Sequence, residues 1–286
     1  MVMRKDKPSQ TARKVALNIV TLGSKPGMNE VLPPGIVKAT ATLLVKSGTV
    51  GKGAVRFSRS RIAVGIYLAF DWMMPGQFEA FAYRKAFCER QVRKGIKSGA
   101  GQLLVLGAGY DTLGWRLAPE FPEVKFFEID HPATASLKAR GIEAMGQRDN
   151  HYLIAEDLSQ RQLVDVLRSN DAWDSTVSSV IVAEGLLMYL NSKAVGTLFE
   201  HCAEVSGTRS RIVFSYVGTR SDGQPDAGSW SWLVLWLLNK AGEPWLWSIR
   251  PSELGSFLKE HHWTIASDMR LSTEKYGVEL YGVAVR

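Results

Sequence analysis

The sequence has few cysteines, no long apolar run and no targeting segment, and each shortage argues against a class of protein. Its two cysteines, Cys88 and Cys202, lie outside any C-x-x-C pair, which argues against a disulfide framework and a structural zinc site. The most apolar run, residues 232–238, is far shorter than the ~20 residues that cross a bilayer. No signal-peptide cleavage pattern follows the basic start, MVMRKDKPSQTARK. We therefore expect a cytoplasmic protein without integral membrane segments, and we predict no metal site.

Acidic residues are fewer than basic ones, although the overall proportions are those of an ordinary globular protein. The 286 residues are 45% hydrophobic and 22% charged, and 35 Lys and Arg against 28 Asp and Glu give a net charge of +7. These proportions argue against a disordered chain, and the positive charge favours acidic partners without identifying them. The basic residues in 84–97 do not alternate with base-stacking aromatics, so we expect solvated helix faces and no nucleic-acid partner.

The hydrophobic pattern divides the chain into two regions. Residues 1–98 hold helix-like stretches, among them 36–46 and 77–97, which predicts a helical N-terminal cap. In residues 99–286, short apolar runs alternate with segments of helical period, which predicts an α/β core around a mostly parallel sheet. The predicted strands are 103–106, 125–129, 152–155, 177–183, 211–216, 262–270 and 277–285, with a late helix at 251–260.

A tryptophan-rich segment interrupts this alternation at about 218–250. Residues 219–228 have the composition of a loop, and five tryptophans follow between positions 230 and 247. Two interpretations stay open, namely an aromatic helix packed on the core and a lid over an apolar substrate pocket. A helix lying on a membrane surface is less favoured, because few basic residues flank the segment.

The sharpest local signal is the segment LLVLGAGYDT, residues 103–112. Four apolar residues lead into Gly107 and Gly109, and glycines at this point let the backbone turn off a strand and approach a ligand closely. A second predicted strand, KFFEI, ends at Asp130, which follows Gly109 by 21 residues. An acidic side chain at an offset of about 20 residues is typical of ribose recognition.

The glycine segment lacks the features of the other common nucleotide sites. Thr112 stands where a dinucleotide fingerprint has its third glycine, and no G-x-x-x-x-G-K-[ST] phosphate loop occurs. This combination favours S-adenosylmethionine as the cofactor, because its ribose needs a carboxylate and it has no pyrophosphate. A nicotinamide-dependent oxidoreductase and a catalytically silent nucleotide-binding partner protein remain alternatives.

Four segments carry a further signal, and they are LLVLGAGYDTLGWRL (103–117), KFFEIDHPATASLKARGI (125–142), EDL (156–158) and VAEGLLMYL (182–190). In order and spacing they resemble the motifs of the leucine carboxyl methyltransferase family, over about residues 80–217. The resemblance implies a Rossmann-like class I methyltransferase fold, with a mostly parallel seven-stranded sheet and an antiparallel C-terminal strand. It also implies S-adenosylmethionine-dependent O-methylation of a carboxylate or hydroxyl of a small molecule or peptide.

The resemblance implies roles for individual residues as well. The implied cofactor-binding residues are Arg84, Gly107, Ala108, Gly109, Asp130, Asp157, Leu158 and Glu184. Arg84 would pair with the cofactor's carboxylate, a bidentate task that suits a guanidinium. Asp130 would bind the ribose hydroxyls, and Asp157 with Leu158 would flank the adenine. Glu184 would lie near the transferred methyl group.

Catalysis needs a general base only if the acceptor is a hydroxyl, since a carboxylate is already ionised at neutral pH. Glu184 and Tyr189 are the predicted catalytic residues, and His131 is a base candidate that is better explained by local hydrogen bonding. Asp111 is predicted to cap a helix, Asp157 also suits a cap, and Tyr189 is equally compatible with the core. The predicted substrate is a small, acidic or partly apolar molecule held beneath the N-terminal cap and the tryptophan-rich segment.

Overall fold

Helices make up the first third of the chain. The computed structural model describes residues 8–267 and 277–286. The helices before the first strand are α1 (Gln10–Leu22), α2 (Met28–Val31), α3 (Ile36–Lys46), α4 (Lys52–Ser58), α5 (Arg61–Ala69) and α6 (Gln77–Lys97). The helices predicted at 36–46 and 77–97 are confirmed as α3 and α6 with the same bounds. Each begins directly after a Pro-Gly pair, which interrupts the preceding structure and makes the start readable in the sequence.

Seven strands form one sheet. The strands are β1 (Gln102–Leu106), β2 (Lys125–Asp130), β3 (His151–Ala155), β4 (Ser179–Ala183), β5 (Arg211–Val217), β6 (Thr264–Ile265) and β7 (Glu279–Val285). Their order is β3-β2-β1-β4-β5-β7-β6, and β7 runs antiparallel to both of its neighbours while the other pairs are parallel. The predicted fold is thereby confirmed. Strand β6 is shorter than the predicted run 262–270, of which residues 268–270 lie outside the described residues.

Helices cover both faces of the sheet. After β1 they are α7 (Leu113–Leu117), α8 (Pro132–Met145), α9 (Leu163–Arg168), a 3-10 turn at Leu187–Tyr189, α10 (Ser192–Glu204), α11 (Ser231–Ala241) and α12 (Pro251–Glu260). Leu104 and Phe127 pack on one face of the sheet, and their neighbours Leu103 and Phe126 pack on the other. Burial on both faces explains why the parallel strands read as continuous apolar runs. No helix within the described residues combines the length and apolarity that membrane crossing requires.

The N-terminal helices pack at the edge of the sheet where β1 and β2 end. One buried cluster joins α1 and α3 to the loop after β1 and to α8, and its members include Val20, Leu43, Tyr110 and Ile142. A Cβ placed on Gly109, in the loop after β1, would lie 3.0 Å from the Cβ of Ala12 in α1. Helix α1 therefore lies directly over this loop.

The tryptophans of the segment 218–250 divide between the surface and the core. Helix α11 exposes Trp232 and Trp236, at 66% and 49%, and buries only Ser231 and Val234. Trp247, beyond the helix, is buried in the main core cluster. The interpretation of the segment as an aromatic helix packed on the core is therefore wrong for the two tryptophans of α11, which are exposed, although the helix half-buries Leu233, Leu235 and Leu238.

Candidate functional site

A cavity of about 280 Å³ lies at the carboxyl ends of β1, β2 and β4. The strand order reverses between β1 and β4, and open α/β sheets bind ligands at such a switch point. Loops after the strands and two residues of α6 form one wall of the cavity, and α1 with residues 242–246 forms the other. Ile36 and Thr40 of α3 also contribute to the lining.

The glycine turn after β1 contributes the backbone of the first wall. Gly107 and Gly109 have φ values of 64° and 50°, a region that side-chain-bearing residues rarely adopt. A Cβ on Gly107 would also lie 3.1 Å from Cδ1 of Leu186, a residue that follows β4. Backbone conformation and close packing therefore both require glycine here.

Asp130, at the end of β2, points toward the glycine turn. The backbone N–H of Gly109 donates a hydrogen bond to Oδ2 of Asp130 over 2.6 Å. Burial raises the pKa of Asp130, and the hydrogen bond from Gly109 opposes this shift by stabilising the charged carboxylate. The expected convergence of the turn and the carboxylate is present, and ribose binding by Asp130 stays a prediction.

Arg84, in the middle of α6, lies at the centre of a buried ion network. Its Nε donates to Oε1 of Glu184 over 2.7 Å, and its Nη1 pairs with Oε1 of Glu279. The hydroxyl of Ser215 donates to the other oxygen of Glu279 over 2.7 Å. Burial alone would lower the pKa of Arg84, but Glu279 and Glu184 raise it above its usual value. Two of the three guanidinium nitrogens are thus already engaged by protein carboxylates.

Lys85 is a cavity residue that the sequence interpretation missed. Its Nζ lies 2.5 Å from Oδ2 of Asp111 and 2.9 Å from Oε1 of Glu184. Asp111 also accepts a hydrogen bond from the backbone N–H of Leu113 over 2.9 Å, although the N-cap residue of the helix after the turn is Thr112 and not the predicted Asp111. Burial would raise the pKa of Asp111, but the ammonium of Lys85 lowers it below the usual value. The pair Arg84–Lys85 was the available signal, because two consecutive cations on a largely buried helix need partners.

Glu184, directly after β4, presents one oxygen that no described residue engages. Its Oε1 is held by Arg84 and Lys85, whereas its Oε2 is buried and has no hydrogen-bond partner. A buried carboxylate oxygen without a donor is costly, and Glu184 lines the cavity. The arrangement fits a ligand that brings an N–H or O–H donor to this point.

Tyr189, in the 3-10 turn after β4, also lines the cavity. Burial raises the pKa of its phenol to about 12. The hydroxyl is therefore protonated at neutral pH, and it is suited to donate a hydrogen bond rather than to remove a proton.

Three residues singled out from the sequence lie outside the cavity lining. Asp157 accepts a hydrogen bond from the backbone N–H of Ser159 over 2.9 Å, and Leu158 packs against the main core cluster. His131 caps α8, since its Nδ1 accepts a hydrogen bond from the backbone N–H of Ala133 over 3.3 Å. The local hydrogen-bonding interpretation of His131 is confirmed, while the adenine contacts of Asp157 and Leu158 stay predictions.

The wall opposite the strand ends is fastened by a contact between distant segments. The backbone N–H of Thr11 in α1 donates to Oε1 of Glu243 over 3.3 Å, and the Thr11 hydroxyl bonds to Oε2 of the same side chain. Glu243 follows α11 and lines the cavity together with Gly242 and Leu246. The end of the tryptophan-rich segment and the N-terminal helix therefore close the cavity jointly.

Comparison with known proteins places these features in a family. The family model for "Leucine carboxyl methyltransferase" matches residues 57–203, just over half of the chain. A Mycobacterium ulcerans protein named "Putative S-adenosyl-L-methionine-dependent methyltransferase" is 32% identical over 151 residues, which are 51% of this chain and 48% of that protein. A Mycobacterium marinum protein of the same name is 31% identical over 151 residues, with the same two coverages. The chain spans about half the length of the curated relatives it matches.

Solved structures resemble the fold. A methyltransferase structure from Thermobifida fusca, whose function is given there as putative, superposes with a TM-score of 0.59 at 15% identity and covers 91% of this chain and 97% of that one. A Nostoc punctiforme structure described as a putative O-methyltransferase gives a TM-score of 0.51 at 12% identity, covering 72% of this chain and 59% of that one. At such identities the likeness shows the fold alone. Since the family model spans β1 to β4 and the loops that form the charged cavity wall, the chain belongs to the leucine carboxyl methyltransferase family.

Proposed function

We propose that this chain is an S-adenosylmethionine-dependent methyltransferase that binds its cofactor in the cavity at the strand ends. The observation that carries the proposal is the meeting of Gly109 with Asp130, with the unpartnered oxygen of Glu184 in the same cavity. The names of the mycobacterial relatives support the same activity.

The charges of the cavity suit a cationic cofactor. The charged residues that line it are Asp111, Asp130, Glu184, Glu243, Arg84 and Lys85. Carboxylates outnumber cations among them, so the wall attracts positive charge. S-adenosylmethionine carries a sulfonium and an ammonium group against a single carboxylate, which matches this excess.

The ribose, the ammonium group and the carboxylate of the cofactor each have a chemical counterpart among the charged residues. Asp130 would accept hydrogen bonds from the ribose hydroxyls, and Oε2 of Glu184 would accept one from the ammonium group. Arg84 and Lys85 hold Glu184 in place and would attract the cofactor's carboxylate. Bound there, the sulfonium supplies a methyl group that is already activated for in-line transfer.

We assign an oxygen as the methyl acceptor, and a carboxylate oxygen in preference to a hydroxyl. No histidine occurs among the described residues that line the cavity, the phenol of Tyr189 has a pKa of about 12, and two cations neutralise Oε1 of Glu184. A hydroxyl acceptor would therefore depend on a carboxylate of the cavity as its base, whereas a carboxylate acceptor needs no base. Alignment and exclusion of water can then supply about 7–11 kcal/mol of the barrier reduction.

The rest of the acceptor would meet the apolar part of the cavity wall. Val15 and Ile19 of α1, with Leu246 beyond α11, line the cavity. These side chains suit a partly apolar acid whose carboxylate reaches toward the sulfonium of the bound cofactor. Tyr189 would donate a hydrogen bond that orients the acceptor.

Calorimetric titration with S-adenosylmethionine tests the proposal. The wild-type chain is expected to bind one equivalent, and Glu184→Gln, which keeps the shape but removes the charge, is expected to bind roughly tenfold or more weakly. Glu123→Gln, on the surface, serves as the matched control and should bind like the wild type. Methyl transfer is then followed with labelled cofactor on carboxylic acids and phenols. Absence of cofactor binding by the wild type would refute the proposed activity.

A further inference from the structure

The charge of residues 31–70 is entirely of one sign. This stretch contains no Asp or Glu and six basic residues. All of them are exposed, and they are Lys38, Lys46, Lys52, Arg56, Arg59 and Arg61. The six positive charges of this stretch nearly equal the net charge of +7 of the whole chain. The stretch therefore presents a local positive field to any partner.

Four of these cations surround a groove between α3 and α4. The groove measures about 330 Å³, and its charged lining residues are Lys46, Lys52, Arg56 and Arg59. Lys and Arg side chains gathered without a carboxylate are suited to bind phosphate groups. The groove therefore has the charge and donor groups needed for an anionic headgroup.

Helix α5, which follows directly, turns large apolar side chains toward solvent. Ile62, Ile66 and Phe70 are spaced four residues apart, so they lie along one side, and they are 70%, 46% and 59% exposed. The helix buries only Ala63 and Val64. A row of large exposed apolar side chains is unusual for a soluble surface and marks a site of interaction.

An aromatic contact joins this row to the tryptophan-rich helix. The ring of Trp72, just beyond α5, meets the ring of Trp230 edge-on, with centroids 5.6 Å apart. Trp230 immediately precedes α11, whose exposed side chains include Trp232 and Trp236. Lys240 lies 4.2 Å from the centroid of the Trp236 ring. We call the exposed side chains of α4, α5, Trp72, Trp230 and α11 the basic-aromatic face.

We propose that the basic-aromatic face docks on the surface of an anionic lipid bilayer. Tryptophan and aliphatic side chains enter the headgroup boundary of a bilayer, and basic residues beside them meet the anionic lipids. The positive charge of the face is complementary to this occupant. A symmetric dimer through the same face would oppose its cations to identical cations, and nucleic acid would leave Ile62 and Ile66 unused.

The docked face would lie next to the cavity. Helix α11 ends at Ala241, and Gly242 and Glu243, which follow at once, line the cavity. Leu246 lines it as well and is 50% exposed. The part of the face that α11 forms is thus continuous in the chain with residues that line the cavity.

Sedimentation of the full chain with lipid vesicles tests this inference without cofactor or substrate, so its outcome is independent of the proposed activity. The vesicles are equimolar phosphatidylcholine and phosphatidylglycerol, and phosphatidylcholine alone. The wild type is expected to sediment with the anionic vesicles only, and added salt should release it because it screens the basic residues. A wild-type chain that stays in the supernatant with anionic vesicles would overturn the inference.

Two double variants separate the contributions of charge and apolar contact. Arg56→Gln with Arg59→Gln is expected to lower partitioning onto anionic vesicles roughly tenfold or more. Ile62→Ser with Ile66→Ser should also lower it at least roughly tenfold, because two large apolar side chains leave the interface. Lys97→Gln with Lys259→Gln removes the same charge from exposed positions elsewhere and should bind like the wild type.

Circular dichroism confirms that each variant keeps its fold, which is expected because all of the substituted side chains are exposed. Vesicle binding that either face variant retains in full would contradict docking through this face. Sedimentation equilibrium tests whether the face instead binds a second copy of the chain. A wild-type dimer that dissociates in the Ile62→Ser with Ile66→Ser variant would overturn docking on a membrane.

Discussion

The two walls of the cavity differ in how they are built. The charged wall consists of the loops after β1, β2 and β4 with Arg84 and Lys85, and each of its carboxylates is held by a cation or a backbone N–H. The covering wall consists of α1 and residues 242–246, is largely apolar, and is fastened through Thr11 and Glu243. A wall of fixed charges suits an invariant ligand, whereas an apolar cover suits a variable one. We therefore expect the charged wall to determine cofactor binding and the covering wall to determine the choice of acceptor.

Arg84→Met has the largest expected effect and tests whether the charged wall rests on buried ion pairs. The substitution leaves the Glu279 carboxylate, and part of Glu184, without its cation in a site where these side chains are 6% exposed. Removal of one partner of a buried ion pair costs about 3–5 kcal/mol, which urea denaturation would measure as a lower free energy of unfolding. Lys97→Met, on the exposed end of the same helix, should change it by under about 0.5 kcal/mol. Equal stabilities for the two variants would show that the network contributes nothing.

Asp130→Ala has the next largest effect and tests the assignment of the cofactor to the charged wall. The variant removes the proposed ribose acceptor and leaves the Gly109 N–H without its partner. We expect the affinity for S-adenosylmethionine to fall by about 1.5–3 kcal/mol, the worth of hydrogen bonds to a charged group. Calorimetry measures the change, and Asp130→Asn, which keeps the shape, should recover part of it. If Asp130→Ala bound S-adenosylmethionine with wild-type affinity, the ribose would not bind at Asp130.

The pH dependence of stability tests the Lys85–Asp111 pair. The pKa of Asp111 is lowered in the folded protein, so its contribution to stability is complete above the unfolded pKa of about 3.9 and is lost as pH falls toward the folded value. Below about pH 5, the free energy of unfolding of the wild type should therefore decline more steeply than that of Asp111→Asn, by up to about 1.4 kcal/mol per pH unit. Denaturation at a series of acidic pH values measures both slopes. Parallel slopes would mean that Asp111 is not held in its charged form.

Thr11→Val has the smallest expected effect and sharpens the contrast between the walls. It removes the hydroxyl bond to Glu243 while keeping the size of the side chain. We expect amide hydrogen exchange at the start of α1 to speed up by roughly fivefold, as loss of about 1 kcal/mol predicts. Cofactor affinity should change far less than in Asp130→Ala. If Thr11→Val weakened cofactor binding as strongly as Asp130→Ala does, the separate roles assigned to the two walls would be wrong.

Local features of the site could be predicted from the sequence. Gly109 and Asp130 follow consecutive strands, and neighbouring parallel strands bring their carboxyl ends to the same edge, so a fixed offset in sequence predicts proximity in space. The bounds of α3 and α6 were readable because Pro-Gly pairs precede both helices. The family match at 57–203 also overlaps most of the expected region 80–217.

Contacts between distant segments could not be predicted in this way. The pairing of Arg84 with Glu279 joins positions 195 residues apart, and that of Thr11 with Glu243 joins positions 232 residues apart. Hydrophobic period identifies which face of an element is buried, but it does not identify the side chain on the other element that meets it. The membrane-surface interpretation of the tryptophan-rich segment was less favoured because few basic residues flank it in the sequence. The contact of Trp72 with Trp230, which places the segment beside the residues that follow α5, could not be predicted.

A crystal structure with S-adenosylhomocysteine, the product form of the cofactor, would show whether the cavity at the strand ends is the cofactor site. We expect the ribose hydroxyls within hydrogen-bond distance of the Asp130 carboxylate and the amino group of the ligand at Oε2 of Glu184. A nucleoside bound at another edge of the sheet, or an amino group directed away from Glu184, would contradict it.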